Sequence, residues 1–374
     1  MKPRLLLPVV FTLALAAPVG CSSEPAAPAD TTCPAVYSVS GAYVSGVTTL
    51  DVDGVKVEVW YPAEVTAAAG KAKAKYDMRD WLPAAERSKI PDADTPIFEM
   101  NAYRDLPAAK GKKFPIVAFS HGLGGYRMQS SVLMAHLATW GFVVVAPEHL
   151  ERGLAIVLEG DNSKIDVSKG PDQLLAALTR IKKEGTTAGS RFEGIIDGSK
   201  VAAMGHSMGG AAAASIADQA QTVVLLASPG YGELPAGKSN LFMWGAADGV
   251  AKSSSIATSY EKQPSPRRSI GLKDAGHLAF TDLCAIGAER GGVLKIAADH
   301  GVAVAPLVEQ LASDGCGNQP TGPAYLSPAA GWKIVNHFVT AHVRAGLGID
   351  PAPLGLDQKT VGCFAPDVTT FETK

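Results

Sequence analysis

Short runs of apolar, β-branched residues recur along the chain from about residue 36 onward, separated by stretches with helical spacing of their apolar positions. The runs at 55–60, 116–119, 142–146, 201–204, 223–227, 241–244 and 268–272 read as strands. Several are apolar at nearly every position, the pattern of strands covered on both faces of a parallel sheet. Helical patterns fall between them at 130–140, 173–183, 209–219 and 254–263, and another at 328–345 closes the series. Strand–helix alternation with short connections predicts an α/β architecture, one mostly parallel central sheet with helices on both faces. Two stretches break the alternation. Residues 63–113 are rich in Lys, Ala and Pro and carry Trp81 and Tyr103; residues 282–327 hold an Ala-rich helical part. Excursions of that length from a compact domain are usually functional loops or mobile surface. The expected organisation is a single domain over 36–374 bearing these two excursions.

The N-terminal pattern is different. Lys2 and Arg4 precede an apolar run from Leu5 to Ala17, interrupted at Pro8 and too short to span a membrane. Residues 1–20 read as a signal peptide, and 21–35, rich in Ala, Pro and Ser, as a flexible tether. Between them, Gly20-Cys21-Ser22 resembles the lipobox of bacterial lipoproteins, which implies lipidation of Cys21; Pro18 stands where that motif prefers Leu. Cleavage after a small residue such as Ala16 leaves Cys21 a free thiol instead. The expected location is outside the cytoplasm, as an envelope lipoprotein or a secreted protein.

Export changes the meaning of the cysteines. Five is an odd number; with Cys21 lipidated, Cys33, Cys284, Cys316 and Cys363 allow two disulfides in three connectivities. Cys284–Cys316 and Cys33–Cys363 are the expected pairs, the second because it ties both chain ends to one body. Composition narrows the partners. With 34 basic and 36 acidic side chains the net charge is −2, so no basic footprint serves nucleic acid or an anionic membrane surface. Membrane attachment is expected only through the N-terminal lipid, and the protein as a monomer.

The chemistry concentrates where strand 201–204 gives way to a small-residue helix. Gly205-His206-Ser207-Met208-Gly209 is a Gly-x-Ser-x-Gly elbow, which presents a serine on a strained turn between strand and helix. A serine hydroxyl needs a base within hydrogen-bond reach. Of eight histidines, His277 follows the last strand on a loop. His337 and His342 lie on the final helix and read as surface or partly buried residues; His136 lies on a helix, and His206 inside the elbow points elsewhere. The third member orients the imidazole and stabilises its charged form. Asp248 ends the strand before His277, ahead of Glu233, which follows an earlier strand, and Asp274, which is too near His277. Two oxyanion donors are expected: the N–H of Met208, and that of Leu123 in Ser120-His121-Gly122-Leu123-Gly124, with His121 shaping the loop.

On these residues the region from about 55 to 345 resembles the α/β-hydrolase superfamily. Phe119-Ser120-His121-Gly122-Leu123-Gly124, the segment Gly141 to His149, and Val59-Trp60-Tyr61-Pro62 resemble platelet-activating-factor acetylhydrolase-like enzymes, which implies an oxyanion role for Leu123. That family's acid follows the strand after the nucleophile, where this chain has Ser228-Pro229-Gly230. Asp248, one strand later, is similar to the acid of dienelactone hydrolases and cutinase-like polyester hydrolases, the latter sharing Gly-His-Ser-Met-Gly-Gly. The expectation is a serine esterase working through an acyl-enzyme on a small-molecule, lipid or polymer ester, short-chain or lipid-type by preference. A cutinase-like polyester hydrolase and a non-catalytic binding protein on the same fold are the alternatives. The chain has no Gly-x-x-x-x-Gly-Lys phosphate loop and no Cys-x-x-Cys or His-Glu-x-x-His spacing, so neither cofactor nor metal is expected.

Overall fold

The computed structural model describes residues 33–230, 232–319 and 322–374. The expected signal peptide at 1–20, Cys21 and the tether up to residue 32 lie outside them. The folded unit starts at Cys33. Residues 33–35, assigned by composition to the tether, are part of it: Cys33 is disulfide-bonded to Cys363, and Ala35 is buried.

In chain order the strands are β1 (Val44–Val52), β2 (Val55–Ala63), β3 (Lys75–Asp77), β4 (Ile97–Glu99), β5 (Tyr103–Arg104), β6 (Phe114–Ser120), β7 (Val143–Pro147), β8 (Ile196–His206), β9 (Thr222–Leu226), β10 (Ser239–Gly245), β11 (Arg267–Leu272) and β12 (Val368–Thr373). β3 and β4 pair with each other. The remaining ten form one sheet in the order β12-β11-β10-β9-β8-β6-β7-β2-β1-β5. From β11 to β7 every neighbour is parallel; β12, and β2 on β7, are antiparallel. The helices are α1 (Ala84–Arg87), α2 (Ser131–Thr139), α3 (Leu154–Leu158), α4 (Gly170–Glu184), α5 (Met208–Ser215), α6 (Ser253–Glu261), α7 (Val293–Asp299), α8 (Pro306–Ser313), α9 (Pro328–Gly346) and α10 (Gln358–Gly362).

All residues of β6, β7 and β9 are buried, because helices cover both faces of the parallel part. Alternation along β6 assigns the sides. Ile116 and Ala118 pack with Leu174, Leu178 and Ile181 of α4, whereas Val117 and Phe119 pack with Leu137 of α2 and Phe338 of α9. In α4 the buried Leu174, Ala177, Leu178 and Ile181 lie on one face at helical spacing, and each large side chain there contributes about 1.5–3 kcal/mol. A mostly parallel sheet covered on both faces, with the serine turn between β8 and α5, is the α/β-hydrolase fold.

β1 escapes the hydrophobic pattern. It pairs along β2 through a tight turn at Asp53 and Gly54, both with positive φ, the backbone that Asp-Gly adopts in two-residue hairpins. His337 and His342, expected at the surface or partly buried, are wholly buried, because α9 is pressed onto the sheet. His342 Nε2 donates to Thr222 Oγ1 at 2.9 Å, and His337 Nε2 to the Gly355 carbonyl at 2.9 Å. Burial drives the His342 pKa down to about 3, so it serves as a neutral core donor.

Candidate active site

Ser207 sits where β8 turns into α5, with φ +54° and ψ −126°, a conformation that costs a non-glycine residue of order 1–3 kcal/mol. The turn is this sharp because its flanks are glycines: a Cβ on Gly209 would collide with the Ser120 carbonyl of the neighbouring strand. The strain lifts the serine out of the sheet into a cavity that it shares with His277. His277 Nδ1 is 2.9 Å from Asp248 Oδ2, both side chains being almost fully buried. The other carboxylate oxygen, Oδ1, accepts from the backbone N–H groups of Val250 and Ala251 at 2.8 and 2.7 Å. Asp248 is thereby held by its own loop while it faces the imidazole. No hydrogen bond joins Ser207 to His277 among the described residues; the two side chains meet at the cavity that both line. The rival Glu233 is exposed, and Asp274 instead accepts from Gln319. The site after β9 that would carry the acid in acetylhydrolase-like enzymes holds Ser228, a buried packing residue.

The loop after β6 runs past the serine. Gly124 N–H donates to the Arg152 carbonyl and Gly125 N–H to that of Gly122. Among the described residues nothing accepts from the N–H groups of Gly122, Leu123 or Met208, so the two expected donors are unengaged. The loop rests on a buried polar chain. Arg152 Nη2 donates to Ser120 Oγ at 2.7 Å, Ser120 pairs with His149 Nε2 at 2.8 Å, and His149 Nδ1 with Gln173 Oε1 at 2.6 Å. His121 Nδ1 donates to the Gly122 carbonyl, and its Nε2 accepts from the His149 N–H, so it shapes the loop as expected.

His206 does not point away. Its ring centroid lies 4.9 Å from that of His277; Nε2 donates to the His277 carbonyl at 3.0 Å, and Nδ1 accepts from Gln129 Nε2 at 3.1 Å. Burial, with the neighbouring His277, lowers its pKa to about 3, which keeps it neutral in this one tautomer. The spacing rule for elbows carries no information about that second histidine; only the approach of the His277 loop creates the contact.

The two excursions meet over the cavity. Met78, Leu82 and Ile90 come from the first, Ile296, Val308 and Leu311 from the second. They touch through an apolar cluster of Ile90, Ile296 and Val302, latched by Arg290–Asp94 at 2.7 Å and by the Ala303 N–H on Glu86 at 2.7 Å. Trp81 anchors the first excursion, donating to the buried Glu148 at 2.7 Å. A disulfide between Cys284 and Cys316 brackets the second. Closing a loop of 32 residues is worth roughly 3.7 kcal/mol in the chain-entropy treatment. No Asp, Glu, Lys or Arg is among the described residues lining the cavity. Nor do these residues contain a group of three His, Cys, Asp or Glu able to hold a metal.

Asp282, at the root of the second excursion, is buried against Ser131 and the Val132 N–H. Desolvation raises its pKa from 3.8 to about 7. The unfolded chain releases this proton near its ordinary pKa while the folded chain keeps it, so stability falls as pH rises from about 4 to 7. Asp282→Asn is expected to flatten that slope, measured as Tm across the range; an unchanged slope would remove Asp282 as its source.

A family model described as platelet-activating factor acetylhydrolase, isoform II, matches residues 37–188. The match takes in the Leu123 loop and ends before Ser207. The chain is similar to platelet-activating factor acetylhydrolase of Cavia porcellus, 29% identical over 139 residues, 28% of this chain and 32% of that protein. It is also similar to the protein of that name from Canis lupus familiaris, 46% identical over 43 residues, 12% and 10% of the two chains. The counterpart from Bos taurus is 33% identical over 75 residues, 20% of this chain and 17% of that protein. The alignments thus span a third or less of these relatives' own lengths.

Proposed function

We propose that the protein is a serine esterase that hydrolyses carboxylic esters bearing an apolar acyl chain, through an acyl-enzyme on Ser207. One observation carries the reading: the 2.9 Å pairing of Asp248 with His277 at the wall of the cavity into which the strained Ser207 projects. Ser207 Oγ attacks the ester carbonyl as His277 Nε2 takes its proton, and the imidazolium is stabilised by Asp248 on Nδ1. The tetrahedral oxyanion is received by the N–H groups of Leu123 and Met208, donors of a kind worth about 3 kcal/mol each. His277 then returns the proton to the leaving alcohol, and water releases the acid by the same steps. No cofactor or metal enters this reaction.

The aliphatic, uncharged cavity wall supports an acyl chain as the buried part of the substrate, and the likeness to acetylhydrolases of a lipid supports a lipid-type ester. The excursions that meet above Ser207 fit a soluble or single-lipid ester better than a polyester surface. Two disulfides suit an oxidising compartment outside the cytoplasm, as does the signal peptide read at 1–20 with Cys21 as its lipid anchor. Among the described residues no helix is long and apolar enough to cross a membrane.

An ester series of increasing acyl length tests the reading, alongside a phospholipid with a short acyl chain and a polyester film. Each methylene buried contributes about 0.8 kcal/mol, so kcat/KM is expected to rise about fourfold per methylene until the cavity is filled. Faster release from the film than from soluble esters would replace this reading by the polyester one. Reaction of Ser207 with a fluorophosphonate but turnover of no ester would leave a binding protein.

A further inference from the structure

Between the roof and the candidate triad lies a carboxylate that the reaction itself does not use. Asp314 stands at the C-terminal end of α8, whose Val308, Leu311 and Ala312 line the cavity. One of its oxygens, Oδ1, accepts from the backbone N–H of His277 at 2.7 Å, and the other, Oδ2, from the backbone N–H of Gly249 at 2.8 Å. Its own carbonyl accepts from the Leu278 N–H at 2.9 Å. The approach is close enough to dictate sequence: a Cβ on Gly276 would lie 2.5 Å from Asp314 Oδ1 and 2.6 Å from the Gly315 Cα. Two residues on, Cys316 is bonded to Cys284, so the segment is held covalently as well.

We propose that Asp314 is a positioning residue of the triad, its carboxylate clamping the loop of the acid to the loop of the base and hanging both from the roof. The inference rests on the triad reading above. Hydrogen bonds from two backbone N–H groups to one carboxylate are charge-assisted and roughly twice as strong as neutral ones. They join residues adjacent to Asp248 and within His277 itself, so they fix the separation of the two partners rather than either alone. A misplacement of about 1 Å in such a constellation costs on the order of 10²-fold in rate. The charged or titratable groups around the imidazole are Asp248 from the acid loop, His206 from the elbow, Asp314 from the end of α8, and Tyr325, which senses both carboxylates. Of these, Asp314 alone bonds to the backbone of both loops.

The experiment compares Asp314→Ala, Asp314→Asn and Ser207→Ala, with the rates of the Asp314 variants normalised to the serine titrated by a fluorophosphonate and that of Ser207→Ala to total folded protein. Asp314→Ala is expected to lower kcat roughly 10- to 100-fold, with KM changed by less than about twofold. Losing a nearby negative charge disfavours the imidazolium, so the acid limb of the kcat/KM profile moves to lower pH. Asp314→Asn keeps one acceptor but turns an amide toward the other N–H. It should show the same shift of the limb with a smaller loss of kcat, and it stands in for the alanine variant if that one does not fold. A residue needed only for folding would leave kcat per titrated serine and the pH limb unmoved, and that result overturns the clamp. A loss confined to KM overturns it as well. Turnover above about one percent of the unaltered chain in Ser207→Ala overturns the triad and the clamp together, whereas turnover below that level beside an unimpaired Asp314→Ala overturns the clamp alone.

Discussion

Ser207→Ala is expected to lower turnover of an activated ester by on the order of 10⁶-fold, the loss found when the nucleophile of a serine hydrolase is removed. The size follows from the site. Without Oγ no acyl-enzyme forms, and the attacking water must work with a cavity and a pair of oxyanion donors alone. Those are worth a residual 10³–10⁴ over the uncatalysed reaction, about the level of other hydrolases stripped of their triad. The fold is expected to survive, because alanine keeps the Cβ and the position already tolerates φ +54°. The measurement is steady-state hydrolysis on a chain whose Tm is unchanged, with fluorophosphonate labelling read alongside. Activity above about one percent of the unaltered chain, against the loss anticipated from such sites, would take the reaction away from Ser207.

Asp248→Asn is expected to cost about 10⁴-fold in kcat, and here the direction of the amide is decided by its neighbours. Val250 and Ala251 both aim backbone N–H groups at Oδ1. The asparagine oxygen must stay there, since an NH₂ group would face two donors. Its NH₂ therefore turns to His277 Nδ1, which must become an acceptor. The imidazole proton moves to Nε2, the nitrogen intended to take the proton of Ser207, and the base is blocked in its neutral form. The stability change is expected to be small, because every hydrogen bond is retained with one reversed. Turnover within tenfold of the unaltered chain, far from the loss that a wrong tautomer brings, would show that Asp248 is not the orienting acid.

The strength of these two arguments differs in where it came from. The elbow was legible because its cause is local. Gly205, Gly209 and the small helix residues are there to let backbones approach, and that need is written into the same few positions that hold the serine. The buried strands were legible for a similar reason, since β6, β7 and β9 are covered on both faces and need apolar residues throughout. Asp248 and His277 stand out as candidates by their place after successive strands. The preference for Asp248 over Glu233 relied on the chain order, and the 2.9 Å contact is a tertiary result.

Other features had weaker signatures. β1 lies near the sheet edge with polar residues such as Thr48, Thr49 and Asp51 in its run, so apolar density alone does not reveal it. His342 and His337 read as surface or partly buried residues because helical spacing cannot tell how deeply a helix is pressed into its sheet. His206 appeared idle because its partner, the His277 carbonyl, is 71 residues away. Asp314 had no signal at all: a half-buried aspartate after a short helix is ordinary until two distant N–H groups converge on it.

The amino-acid sequence alone therefore determined the alternation of strand and helix, the serine at its elbow, and a short set of candidate partners for it. These are demands that neighbouring residues make of one another, through steric fit at glycine and apolar cover at the strands. The folded chain settled how the two excursions meet over the cavity, which histidine supports which loop, and how Asp314 reaches the loops of both Asp248 and His277. Each of those is a contact between segments far apart in sequence, and its geometry is set by the packing of the whole sheet and its helices rather than by any local preference.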